Sequence, residues 1–150
     1  MRLIMKKKIL LACMALISGP AFSDHHDEVI KPSQMTKVDI AGAIYERPDM
    51  TKSTKNGNTT LDVTSMLSSD GKFETGMFRS GPVQNIIDEP YGVDEIFYII
   101  EGSITLTSAD GSVMTSGAGE TLSIPKEWTG IWDTDGYSKI WAIYYGDSKE

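Results

Sequence analysis

Asp88, Glu89, Asp94 and Glu95 crowd into residues 88–95, and carboxylates in such a run could do two kinds of work. As hard oxygen donors they could hold Mg²⁺, Ca²⁺ or Mn²⁺. Equally, they could be the solvated approach to a strand in an acidic chain. Glu95 stands apart from the other three. It shares period-two spacing with Phe97 and Ile99, so a strand that turns those two inward also turns Glu95 inward. A buried carboxylate needs a partner or it holds its proton more tightly, which makes Glu95 a candidate general acid or base. Tyr91, Arg79 and Lys139 are the partners on offer. The plainer alternative is a structural ion pair.

Further along, "SIPKEWTGIW" (123–132) ends a strand at Ile124, turns at Pro125, and sets Trp128, Gly130 and Trp132 on alternate positions. If that stretch is extended, two indoles and a gap share one face. They could wall a site for a flat or sugar-like ligand, with Glu95, Arg79, Tyr91 and Lys139 as polar contacts. They could instead fill the interior themselves. The only two histidines are His25 and His26. A mature chain beginning at Asp24 would put His26 third, and with the α-amine and two backbone nitrogens it would offer a square-planar set for Cu(II) or Ni(II). With any other start, both are incidental polar residues.

The elements that must position these groups are short strands. "VDIAGAIYE" (38–46) reads as a first strand, and the turn-rich stretch 47–60 as a loop. "TLDVTSML" and "FETGMFRS" follow as strands, then a long connection, "GPVQNIIDEPYG". "DEIFYIIEG" is apolar on both faces, as in a central strand or a subunit contact. Two alternating runs joined by Asp110-Gly111 predict a hairpin. "AGETLSIP" and "YSKIWAIYY" (137–145) complete the set. Helical periodicity is lacking throughout, so the fold class is all-β, a sandwich or small barrel.

The first 23 residues stand outside that fold. "MRLIMKKK" is a positive n-region, "ILLACMALISG" a short apolar h-region, and Ala21 and Ser23 are small residues at the end of a secretory leader. The expected organisation is a signal peptide at 1–23, a polar arm at 24–36, and one domain at 37–150, in the periplasm or outside the cell. Losing the leader removes Arg2, Lys6, Lys7 and Lys8 and takes the net charge from −7 to −11. The lone cysteine, Cys13, leaves too, so the domain must rest on its core rather than on disulfides. A domain of this size can bury about two thirds of its unfolded surface. So acidic a chain is a poor partner for nucleic acid or an anionic membrane surface.

Two stretches resemble the signature motifs of the cupins. Glu95 and Gly102 match the end of G-x5-H-x-H-x3,4-E-x6-G, and Gly119 and Pro125 match the start of G-x5-P-x-G-x2-H-x3-N. Asp94, Glu95, Tyr98, Glu101, Gly102, Trp128, Gly130, Trp132 and Lys139 together resemble the ureidoglycine aminohydrolase-like branch. The resemblance spans residues 70–145. It implies a double-stranded β-helix, the jelly-roll barrel, in a homodimer; "IFYII" and "IWAIYY" would supply apolar faces for that contact. The chain departs from the pattern at the metal site. The histidine positions of the first motif fall on Glu89 and Tyr91, or on Asp88 and Pro90 with the longer spacing. That of the second falls on Gly130. Of the usual ligands only Glu95 remains. The expectation is a cupin with a degenerate metal site that binds a small polar metabolite in its barrel. The alternative is a lyase, isomerase or hydrolase using Glu95 as acid or base, with Mn²⁺ or Mg²⁺ held by Glu95 and Glu89. A scaffold or interaction protein is the third reading.

Overall fold

A computed structural model of the chain describes residues 29–146, and the architecture below belongs to the unit that begins at Pro32. The leader, Cys13, His25 and His26, with the nitrogen site that depended on His26, lie outside the described residues.

The domain opens with a helical turn rather than the expected strand. Thr36 caps α1 (Lys37–Ile40) by a capping box: Asp39 N–H donates to Thr36 Oγ1, and Thr36 N–H donates to Asp39 Oδ2 at 2.8 Å. A 3-10 turn follows at Ala43–Glu46. Its consecutive residues Ile44 and Tyr45 are both buried, which a half-buried strand does not allow because neighbours point to opposite faces.

The expected loop at 47–60 is a hairpin. β1 (Thr51–Lys55) pairs with β2 (Asn58–Leu67) through Asn56 and Gly57, both at positive φ, as the tightest hairpin turns require. Every residue of β1 is exposed, so no apolar alternation marks it. β3 (Phe73–Ser80) comes as expected, and the presumed connection after it contains β4 (Val83–Ile87). β5 (Asp94–Ser108) merges two expected strands into one, turning at Gly102, where a Cβ would lie 2.0 Å from the Gly136 carbonyl oxygen. Asp110-Gly111 joins it to β6 (Val113–Gly117), and β7 (Thr121–Ile124), β8 (Gly130–Thr134) and β9 (Tyr137–Tyr144) follow.

All pairings are antiparallel, in the order β1-β2-β3-β9-β5-β8-β4, with β6 and β7 also paired to β5. The first half of β5 lies between β9 and β7, and its second half between β8 and β6. One long strand thus belongs to both halves of a curled sheet, the jelly-roll arrangement expected. Its inner face holds the larger core cluster, including Phe97, Ile99, Leu122, Trp132, Tyr137 and Trp141. On its outer face Ile44 and Tyr45 cover Val63 and Met77.

Candidate functional site at the centre of the curled sheet

Glu95 does turn inward with Phe97 and Ile99 and is 4% exposed. Lys139 reaches it from β9, where it pairs in register with Phe78 and Ile99. Its Nζ donates to Glu95 Oε1 at 2.5 Å, with both side chains almost wholly buried. The second oxygen, Oε2, accepts from the Tyr91 hydroxyl at 2.5 Å. Tyr91 is held on its loop by two backbone bonds, its own N–H to the Trp128 carbonyl and Gly92 N–H to that of Lys126. Both oxygens of the carboxylate therefore have charged or polar donors, which is the condition for burying it.

The Lys139 ammonium lies in an aromatic box. Its nitrogen is 4.2 Å from the centroid of Phe97, 5.2 Å from Trp132, 5.7 Å from Phe78 and 6.0 Å from Tyr137. Ring faces attract a cation at these distances, more so where water is excluded. Burial pushes the Lys139 ammonium below the usual lysine range, and the Glu95 carboxylate beside it pulls the other way. Burial first, and then Glu95, push the Tyr91 and Tyr137 phenols up, so Tyr91 stays a proton donor. Asp62 on β2 shares the inner face. Burial raises its carboxyl, against the lowering influence of Lys139 and a hydrogen bond with Trp141.

The aromatic residues fill rather than frame. Trp132 is in the core, its ring stacked on Tyr91 with centroids 6.3 Å apart and planes 13° apart. Trp128 is not on the same strand, since β8 begins only at Gly130. It sits in the preceding turn, half-buried, with its indole N–H donated to Ser108 Oγ at 3.1 Å. A Cβ on Gly130 would come within 2.2 Å of the Thr107 carbonyl oxygen and 2.8 Å of the Trp128 ring. The glycine leaves no opening, because that space is taken by backbone and indole.

Other expected site residues lie elsewhere. Arg79 is on the outer face of β3, 3.7 Å from Glu101 and over the Tyr45 ring, so it does not meet Glu95. The alternation along β3 was visible, but the inward set is the one with Phe78. Asp88 and Glu89 are exposed, and Asp94 is exposed with its carboxylate accepting the Lys126 N–H. Among the described residues no group of three or more His, Cys, Asp or Glu could hold a metal ion. A site for Mn²⁺ or Mg²⁺ on Glu95 and Glu89 is thus not assembled. The Glu95 carboxylate is saturated by an ammonium and a phenol, a donor set that does not fit a hard cation. Sequence reasoning named Lys139 but missed the box around it. Phe78, Phe97 and Tyr137 meet there only through the β3–β9–β5 register.

Residues 67–139 match the EutQ-like cupin domain family. The chain carries the cupin fold, and this stretch of it resembles that domain. The solved structures it is similar to show that fold. A protein of unknown function from Pseudomonas syringae pv. tomato is 19% identical with a TM-score of 0.57, over 63% of this chain and 43% of that one. This chain therefore spans less than half of the Pseudomonas protein. One of unknown function from Rhizobium leguminosarum is 22% identical with a TM-score of 0.55, over 78% and 100%. The Clostridium difficile EutQ protein is 21% identical with a TM-score of 0.52, over 66% and 78%. No curated protein matches the chain.

Proposed function

We propose that this protein is an exported, metal-independent cupin that binds a small polar metabolite. One observation carries the reading: Glu95, the one member of the cupin ligand set that the chain keeps, is neutralised from within by Lys139. A tethered ammonium takes the role that a bound cation would have beside that carboxylate. The histidine positions of the cupin motifs, here Glu89 and Tyr91 or Asp88 and Pro90, and Gly130, support the same reading, as does the leader for export. The pattern from Asp94 to Lys139 supports a kinship with the ureidoglycine aminohydrolase-like branch in sequence, though not its chemistry. An acid–base enzyme built on Glu95 would need that carboxylate freed from both Lys139 and Tyr91.

Metal analysis of the purified mature protein, combined with a thermal-shift screen of polar metabolites, tests the proposal. The expected result is substoichiometric Mn, Mg, Fe, Ni and Zn, with at least one metabolite raising the melting temperature saturably. A ligand at 100 times its Kd adds about 2.7 kcal/mol, well within detection. Stoichiometric metal that disappears in Glu95→Ala would sink the metal-independent reading. Silence across the whole screen would sink the binding reading.

A further inference from the structure

The two ends of the curled sheet come together at a second place. β1 and β4 end the strand order, and a cleft of about 540 Å³ lies between the β1–β2 hairpin and the start of β4. Ser53, Lys55, Asn58 and Thr60 line one side, Gln84 and Asn85 the other. The register fixes their direction. Ser53 pairs with Thr60 and Lys55 with Asn58, while Thr60 pairs in turn with Ser80 on β3. These side chains therefore stand on the same inner face as Phe78 and Lys139, at its rim.

The chemistry of this rim is unusual for the chain. In a protein of net charge −7, none of the cleft's lining residues is acidic, and Lys55 is its only charge. Among the described residues Lys55 makes no ion pair. Around it are amides and hydroxyls, the groups that exchange hydrogen bonds with hydroxyls in both directions. Asn58 is fixed by donating from Nδ2 to Ser80 Oγ at 3.0 Å, and its Oδ1 is buried without any donor. The fixed amide adds its second Nδ2 hydrogen, not that buried oxygen, to the set of groups that a ligand can meet.

From this we infer that the cleft is the ligand site and that its ligand is a small hydroxylated carboxylate, the acid group on Lys55 and the hydroxyls on Asn58, Gln84 and Asn85. The inference rests on the binding reading above and gives it a place and a chemical class. Sodium gluconate and sodium glucuronate are the probes, with glucose and acetate as controls that each keep one feature. Binding is measured by calorimetry and by amide NMR shifts on the mature protein.

Gluconate or glucuronate should bind saturably and shift the amides of residues 53–60 and 83–85. Glucose and acetate should bind about ten-fold more weakly or worse, as expected for losing a charge-assisted contact or the hydroxyl set. Lys55→Met should weaken the acid by about ten-fold, and Lys55→Arg should largely retain it. Lys55 is exposed, so neither variant threatens the fold. No saturable binding of either acid, or binding unchanged in Lys55→Met, overturns the inference. If some other metabolite from the screen binds and survives Lys55→Met, this cleft fails while the binding reading stands.

Discussion

Lys139→Met is the substitution that tests the centre of the sheet most directly. Methionine keeps most of the side chain's length and apolar bulk, so the change removes the ammonium and little else. The Glu95 side chain is 2% exposed and that of Lys139 6%, so water does not replace the lost partner. Breaking a buried pair by removing one member costs about 3–5 kcal/mol, because the other charge is left uncompensated. Domains of this kind are stable by about 5–15 kcal/mol, so the loss is a large fraction of the total. At about 4 °C per kcal/mol for a chain of this length, the melting temperature should fall by about 12–20 °C. The double variant Glu95→Gln with Lys139→Met removes both charges and should recover half of the loss or more, since neutral replacement of a whole buried pair is often close to neutral. Thermal unfolding of the four proteins, followed by circular dichroism, gives the cycle. A single-variant loss below about 1 kcal/mol, the range of exposed pairs, would refute the reasoning. So would a double variant no more stable than Lys139→Met.

Gly130→Ala should destabilise by about 1–3 kcal/mol or more, read from denaturant midpoints, because its Cβ meets the Thr107 carbonyl oxygen at 2.2 Å and the β5–β8 pairing must shift. A cost near zero would mean that the turn before β8 packs otherwise. Asp62→Asn should stabilise the protein at neutral pH by a few tenths to about 1 kcal/mol. Burial raises the folded-state carboxyl above its unfolded value, so the charged form opposes folding. That penalty is absent below the unfolded value and grows as pH rises through the window between the two. The gain from the amide should accordingly disappear in acid, and a gain that persists there would contradict the assignment.

Strands with apolar residues turned to the core were legible in the sequence, and a strand exposed along its whole length was not. β9 was drawn as 137–145 and runs from Tyr137 to Tyr144, because Trp141 and Lys139 alternate with residues of another kind. β1 is exposed on both faces and carries only Thr, Lys and Ser, so its sole marker was the Asn56-Gly57 pair. The stretch 38–46 looked apolar enough for a strand, yet Thr36 and Asp39 were already spaced as a capping box. The same division applies to the site. Glu95, Tyr91 and Lys139 could be named because each has chemistry of its own. Arg79 was assigned with them because β3 is partly apolar on both faces, and only pairing with β9 decides which one is inside. The aromatic box was out of reach, since Phe78 and Tyr137 lie far apart in the chain and meet only across the sheet.

That register also explains why a ligand would be displaced from the centre of the curled sheet to its rim. Along β3, β9 and β5 the inner rows Gly76–Trp141–Phe97 and Phe78–Lys139–Ile99 are apolar except for the Lys139 ammonium, and Glu95 lies in the row beside them. Outward onto β2 and β1 the same face becomes polar, through Asp62, Thr60 and Ser53. A barrel that holds a metal at its centre must keep the centre open for metal and ligand together. Once Lys139 neutralises Glu95 permanently, that requirement goes, and close packing by Trp132 and Tyr137 becomes favourable because each buried aromatic removes a large apolar area from water. The polar rim is then the part of the inner face still able to exchange partners. On this account the core pair and the rim cleft are energetically separate. Lys139→Met should lower the melting temperature while leaving gluconate affinity below the transition unchanged, and Lys55→Met should do the reverse. Loss of affinity in step with loss of stability in Lys139→Met would place the ligand back at the centre.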